Sequence, residues 1–365
     1  MESTEKLNYS QVSEFVLLGL TSSQNIQYFL FAIFSLIYGA TILGNLLIVV
    51  TILCISSLNT PMYFLLGNLS FVDMTLASFA TPKMIVNLLK TQKTISFAGC
   101  FTQMFLLHLL GGVEMVLLVS MAYDRYVAIC KPLHYMTIMS KKVCVLLVLT
   151  SWFIGFLHSG LQIPFVVNLP FCGPNVVDSI FCDLPLVAKL ACTDTYIIQI
   201  VIVANSGMIS LSCFTTLLIS YILILLTIRN HSSTGQSKAR STLTAHITVV
   251  ILFFGPCIFI YVWPFGNQSI DKFLAVFYTI VTPILNPIIY TLRNKEMKTA
   301  MKKMREWDGV MRCTLGTLMI GKRGPTGEDQ TQKARKLTLP QSAPCLSHCW
   351  EEIRFTPNTS KMSWK

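Results

Sequence analysis

Across 365 residues, 53% of the side chains are apolar and 12% are charged, about half the charged share of an ordinary soluble domain. So little polar surface excludes a soluble globular protein, and it turns the net charge of +11 away from nucleic-acid binding and towards membrane topology and anionic lipid. No Asp, Glu, Lys or Arg falls between Glu14 and Asp73, Lys142 and Asp178, Asp194 and Arg229, Arg240 and Asp271, or Lys272 and Arg293.

Each of those intervals holds a spanning helix of about 20 residues. In chain order, spans are expected at Tyr28 to Cys54, Pro61 to Thr81, Gly99 to Tyr123, Val143 to Phe165, Ile197 to Ile228, Leu243 to Pro264 and Lys272 to Leu292. The first interval accommodates two of them, parted by the turn-forming Ser56, Ser57, Asn59 and Pro61. Buried helices of a large soluble core rarely repeat at this length without polar faces. The fold class is therefore an all-α membrane protein, a seven-transmembrane helix bundle over residues 28–292. An outer arm (1–27) precedes it; a short amphipathic surface helix (293–310) and a tail expected to be disordered (311–365) follow.

Seven spans place the termini on opposite sides. The side of the arm carries Lys6, Lys83, Lys90, Lys93, Lys189 and Lys272. The other carries Arg125, Lys131, Lys141, Lys142, Arg229, Lys238, Arg240, Arg293, Lys295, Lys298, Lys302, Lys303 and Arg305. Six basic residues against thirteen put the N-terminus outside. Met1 to Glu14 lacks the basic-then-apolar pattern of a signal peptide, so the first span is read as an uncleaved signal anchor. Asn8, Tyr9 and Ser10 form a glycosylation acceptor in the arm.

The segment MAYDRYVAIC (Met121 to Cys130) sets Asp124, Arg125 and Tyr126 side by side at the inner edge of span three. An arginine held where lipid meets cytoplasm can pair with the adjacent acid in one state and meet a partner protein in another. Together with PMYFLLGNLSFVD (Pro61 to Asp73) and PILNPIIYTLRN (Pro283 to Asn294), in this order and spacing, the segment resembles those of the olfactory receptors, a branch of the rhodopsin-like G-protein-coupled receptors. The resemblance runs from about Ser13 to about Arg305. It implies a plasma-membrane odorant receptor that binds a small volatile or hydrophobic ligand and activates the stimulatory olfactory G protein, raising cyclic AMP. It further implies a G-protein switch made of Asp124, Arg125, Tyr126, Tyr221, Asn286, Pro287 and Tyr290, in which the proline breaks span seven so that Tyr290 can move relative to span three. The inner end of span six departs from the family pattern, with Arg240 where a bulky apolar residue is common and Leu243 where cysteine is common. His246 there either titrates or bonds a neighbour.

Of twelve cysteines, Cys100, Cys172, Cys182 and Cys192 lie at or beyond the outer face, where thiols meet an oxidising compartment. Four cysteines allow three connectivities. The family resemblance implies Cys100 with Cys182 and Cys172 with Cys192, which would staple a lid over a pocket.

Inside the bundle, Asn45, Asp73, Glu114 and Asn286 fall at similar depth, Glu114 about 16 Å along its helix from Arg125. Two mid-membrane carboxylates need a cation, a proton or good donors. By resemblance, Asp73 and Asn286 match an internal sodium and water site, and Glu114 matches the acid usual in olfactory members. Either a sodium ion or proton at Asp73 and Glu114 stabilises the resting state, or the group is a hydrogen-bonded network without an ion. No other cofactor is expected.

His108, Gly111, Gly112 and Met115 share one helix face, with the two glycines making room. Matching positions by resemblance add Leu107, then Asn205, Ser206 and Ile209 on span five, Phe254, Cys257, Ile258 and Tyr261 on span six, and Val276 and Thr279 on span seven. This lining is mainly apolar and lacks a fixed charge, which suits a small, largely hydrophobic, neutral molecule. His108 is as readily structural as ligand-binding.

Past span seven, Met297, Ala300, Met301 and Met304 make an apolar face opposite Lys295, Lys298, Lys302, Lys303 and Arg305. Gly316 to Lys365 has no apolar period, and the family usually stops before it. No Gly-rich phosphate loop, nucleophile elbow or H-E-x-x-H helix occurs, so the chain is not read as an enzyme. The competing class is a transporter or channel using the intramembrane acids as an ion path; a weakly coupled receptor-like protein is a third reading.

Overall fold

The computed structural model describes residues 12–173, 175–229, 233–262, 268–294 and 296–304. The expected acceptor Asn8 and the tail lie outside the described residues, as do the side chains of Arg240, Tyr261 and Tyr290. In chain order the elements are β1 (Glu14–Leu17), α1 (Gln24–Cys54), α2 (Pro61–Leu89), β2 (Thr94–Ser96), α3 (Phe97–Cys130), α4 (Tyr135–Ile138), α5 (Lys141–Val167), β3 (Val176–Val177), α6 (Leu184–Ala188), α7 (Tyr196–Arg229), α8 (Ser233–Val262), α9 (Gln268–Val276) and α10 (Thr282–Arg293).

Six of these segments are long and apolar enough to cross a membrane: α1, α2, α3, α5, α7 and the run Lys272–Ile289, which joins α9 to α10 through a π turn at Phe277–Val281. The seventh crossing is α8, which contains the apolar stretch His246–Ile260. The helices run past their uncharged windows. Pro61 opens α2 at a position where its missing N–H costs nothing, and the helix continues through Pro82 to Leu89. The Ser96 and Ser140 side chains cap α3 and α5 by accepting from Gly99 and Val143. Helix α3 carries Asp124 and Arg125 within its last two turns and stops where Lys131 precedes Pro132.

Leu65, Leu69, Val72, Val113, Leu117 and Leu118 fill the interior, while Leu36, Leu43 and Ile197 point outward, as expected where the surroundings are lipid. Helices α3 and α5 touch backbone to backbone. A Cβ on Gly155 would lie 2.6 Å from the Leu109 carbonyl oxygen and 2.9 Å from the Val113 nitrogen. Small residues at such crossings let helices approach closely enough for dispersion to act.

One feature is absent from the sequence reading. A three-stranded sheet of order β2-β1-β3 caps one end of the bundle, with Phe15 opposite Ile95 in an antiparallel pair and Val16 opposite Val176 in a parallel one. Phe15 is fully buried against Phe97 and Phe171. Strands of four, three and two residues are too short for an alternating pattern to register. At the opposite end, residues 296–304 are helical, with Met297 and Ala300 buried against the bundle and Lys298, Lys302 and Lys303 exposed.

Candidate functional site

A small cavity lies beneath the strand-capped end. Its wall on α3 is Leu107, His108, Gly111, Gly112 and Met115, completed by Ser206 on α7 and Cys257 on α8. The roof is the loop that the Cys100–Cys182 disulfide ties to α3, contributing Phe181, Cys182 and Asp183. The second bridge, Cys172–Cys192, closes the loop on itself. Lys272 pairs with Asp178 of this loop and also donates to the Gly19 carbonyl at 3.5 Å, so α9, loop and arm meet at one ammonium.

Several expected lining residues lie elsewhere, each for a local reason. On α8 the facing stripe is Phe253 and Cys257; Phe254 and Ile258, one residue round, pack into the core, Phe254 against Phe214. In the seventh span the π turn adds a residue per turn, and Tyr278 faces the cavity. Thr279 is buried and bonds the Ala275 carbonyl at 2.6 Å, while Val276 packs on the core. Asn205 donates to the His158 carbonyl at 3.2 Å, joining α7 to α5, and Ile209 packs beside it. Gly111 has open space at its Cβ position, but Gly112 is a helix-crossing glycine, with Gly155 3.0 Å from where its Cβ would be. The lining also holds one carboxylate, correcting the expectation of none: Asp183, whose Oδ1 caps α6 by accepting from Leu184 at 2.9 Å.

Leu76, His158, Phe181, Asp183, Phe253 and Tyr278 are lining residues the sequence reading missed. For His158 a signal existed. Ser151, Gly155, His158 and Gln162 repeat on one face of α5, marking the side turned to α3 and α7.

Deeper, Asn286 donates to Asp73 at 2.8 Å, and Asn45 donates to the Pro283 carbonyl at 2.9 Å. Glu114 is fully buried within electrostatic range of Asp73. Asp73 Oδ1, Asn286 Oδ1 and the Ser70 hydroxyl, one turn from Asp73, are buried without hydrogen-bond partners among the described residues, and the Glu114 carboxyl lies within reach of the Asn286 side chain. An all-oxygen donor set with carboxylates fits a hard cation such as sodium.

At the far end of α3, Asp124 accepts from Tyr135 of α4 at 2.8 Å rather than from Arg125. Adjacent helical residues point about 100° apart, which leaves Asp124 buried towards α4 and Arg125 half-exposed. Burial, reinforced by the Asp124 charge, pushes the Tyr135 hydroxyl above its ordinary range, so it stays a donor. Tyr221 and His246 Nδ1 lie 2.9 Å apart, joining α7 to α8, so His246 bonds a neighbour in this geometry. Tyr126 packs at the edge of the core, and Pro287 lies against α1, 3.2 Å from where a Cβ on Gly44 would be. Tyr63 bonds Asn294 and Glu296 at 3.1 and 3.0 Å.

One helix, α3, thus runs from a roofed cavity to an arginine at the opposite end of a seven-helix bundle, the architecture of a rhodopsin-like membrane receptor. The family profile described as olfactory receptor matches residues 34–306. The chain is 83% identical over 298 residues to Olfactory receptor 4K17 of Homo sapiens, covering 82% of this chain and 96% of that one. It is 67% identical over 298 residues to Olfactory receptor 4K15 of Homo sapiens, covering 82% and 92%, and 65% identical over 297 residues to Olfactory receptor 4K3 of Homo sapiens, covering 81% and 94%. The chain belongs to the olfactory receptor family, a family of multi-pass membrane receptors and not of enzymes.

Proposed function

We propose that this receptor takes a small, mainly hydrophobic, neutral odorant into the cavity and passes its arrival to a stimulatory heterotrimeric G protein, raising cyclic AMP. The N-terminal arm and the disulfides face outside at the plasma membrane, and Arg125 faces the cytoplasm. The observation that carries this reading is the apolar cavity formed by α3, α7, α8 and the stapled loop, from which α3 leads to Arg125.

An occupant pressing on Phe253 and Cys257 acts on α8 next to Pro256, where the helix lacks one backbone donor and bends most easily. The foot of α8 is tied to α7 through the Tyr221–His246 contact. Exchanging that bond, and moving Arg125 off its neighbours, opens the inner end for a partner. Asp73, Glu114, Asn286 and Ser70 would hold a sodium ion in the resting state, its charge offsetting the two carboxylates.

The test is a cyclic AMP assay in cells expressing the receptor, against a panel of volatile compounds. A response lost in Arg125→Ala at matched surface expression is expected. An unchanged response in that variant, or an odorant-driven ion current independent of G protein, would overturn the reading.

A further inference from the structure

A second, smaller cavity lies at the strand-capped end, between the arm, α2 and the stapled loop, and shares no lining residue with the first. Its walls are mostly apolar: Leu17 and Leu20 of the arm, Met84 and Leu88 of α2, and Ile180 of the loop. Two polar side chains interrupt that lining. Asn87, 5% exposed, has both amide atoms buried, and neither has a hydrogen-bond partner among the described residues. Folded proteins rarely leave a buried amide in that state, which marks the place as one that an occupant completes. Lys93 is the other. Its backbone carbonyl accepts from Leu17 at 2.8 Å, which fixes it beside β1, and its Nζ lies 3.5 Å from where a Cβ on Gly19 would be. Gly19 also lines the cavity, at φ +74°, and has no side chain to cover that ammonium. Lys272 at the same end pairs with Asp178, but the Lys93 ammonium has no acid or acceptor among the described residues.

We propose that this cavity is a second binding site, separate from the odorant cavity, for a short-chain alkyl carboxylate. Its anionic oxygens accept from the Lys93 ammonium and the Asn87 amide, and its alkyl chain lies on the apolar wall. A neutral amide or alcohol leaves the Lys93 charge uncompensated, and an alkylammonium repels it. Inorganic phosphate offers the leucines and Met84 nothing to bury. The two cavities are neighbours through one step of chain, since Ile180 lines this one and Phe181 roofs the other. An occupant here holds α2, the arm and the loop together and so steadies that roof without entering the odorant cavity.

The test uses the full receptor purified into lipid nanodiscs, with sodium butyrate as the probe and sodium chloride matched for ionic strength. The melting temperature is expected to rise with butyrate until it saturates, and butyramide or inorganic phosphate at the same concentrations should leave it unchanged. Saturation-transfer NMR on the butyrate methyl group reads binding directly, whatever the stability of a variant. Lys93→Met and Asn87→Asp should each raise the half-saturating butyrate concentration about tenfold or more, as expected for a lost hydrogen bond to a charged group. Gly111→Leu, which fills the odorant cavity, should leave butyrate binding in place. Failure of butyrate to bind the wild type overturns the proposal, and so does butyramide or phosphate binding as well as butyrate. Butyrate binding that survives Lys93→Met and Asn87→Asp but is lost in Gly111→Leu places the ligand in the odorant cavity and also overturns it. None of these outcomes bears on the odorant reading, which the cyclic AMP assay tests separately.

Discussion

The two ends of the bundle are held by different kinds of bond. The strand-capped end has two disulfides, a sheet of main-chain hydrogen bonds and the Lys272–Asp178 pair. The Arg125 end is held together by individual side-chain hydrogen bonds: Tyr135 to Asp124, Tyr63 to Asn294 and Glu296, and Tyr221 with His246. Each of the latter contributes about 0.5–1.5 kcal/mol net, comparable with the few kcal/mol that separate conformational states. A receptor needs one end that keeps its shape around a ligand and another that exchanges partners, and the bond types are distributed accordingly.

The largest expected effect comes from cutting the rigid end. Cys100→Ser should cost about 2–5 kcal/mol, read as a lowered melting temperature in detergent and lost surface delivery. Cys172→Ser opens a separation of 20 residues rather than 82 and should cost less; equal losses would mean that loop length is not what matters here. Next comes the crossing that supports the cavity wall. Gly155→Val drives a side chain into the Leu109 carbonyl and Val113 and should destabilise by about 1–3 kcal/mol, measured by thermal melting, whereas Gly111→Ala, into open space, should be nearly neutral.

At the exchangeable end the effects should move from stability to signalling. Tyr63→Phe removes a hydroxyl shared by Asn294 and Glu296 and should cost only about 1 kcal/mol while changing basal cyclic AMP several-fold. An intact basal level with a collapsed melting temperature would erase the contrast between the ends. The smallest effect belongs to Lys272→Met. Its ion pair with Asp178 is partly exposed and worth at most about 1 kcal/mol. The change should appear in how fast odorant washes out, and less so at high salt.

What was legible in the sequence follows from which solvent does the sorting. Lipid forbids charge over about 20 residues, so the seven spans and the basic foot at Arg125 stand out in a bare string of letters. The cavity is harder, because which side of a helix faces inward depends on phase, and the π turn at Phe277–Val281 resets that phase. Hence Phe254 and Thr279 were expected at the cavity where Phe253 and Tyr278 stand. Arg125 was expected to have Asp124 available as a partner, but the acid's bond comes from Tyr135, eleven residues on in a helix too short to predict. The sheet was invisible because its strands find each other only after the bundle has brought them together.

The late pairing of the sheet bears on how the chain is made. Val16 leaves the ribosome roughly 160 residues before its partner Val176, and α1, α2, α3 and α5 are synthesised in between. Until then β1 is a strand without its second neighbour, its Phe15 side chain lacking Phe171. Closing the cap is therefore a step that requires β1 to have stayed accessible while the four helices between it and β3 were inserted. A nascent receptor stalled or misinserted before residue 176 would display an unpaired apolar edge, a mark by which quality control could recognise it.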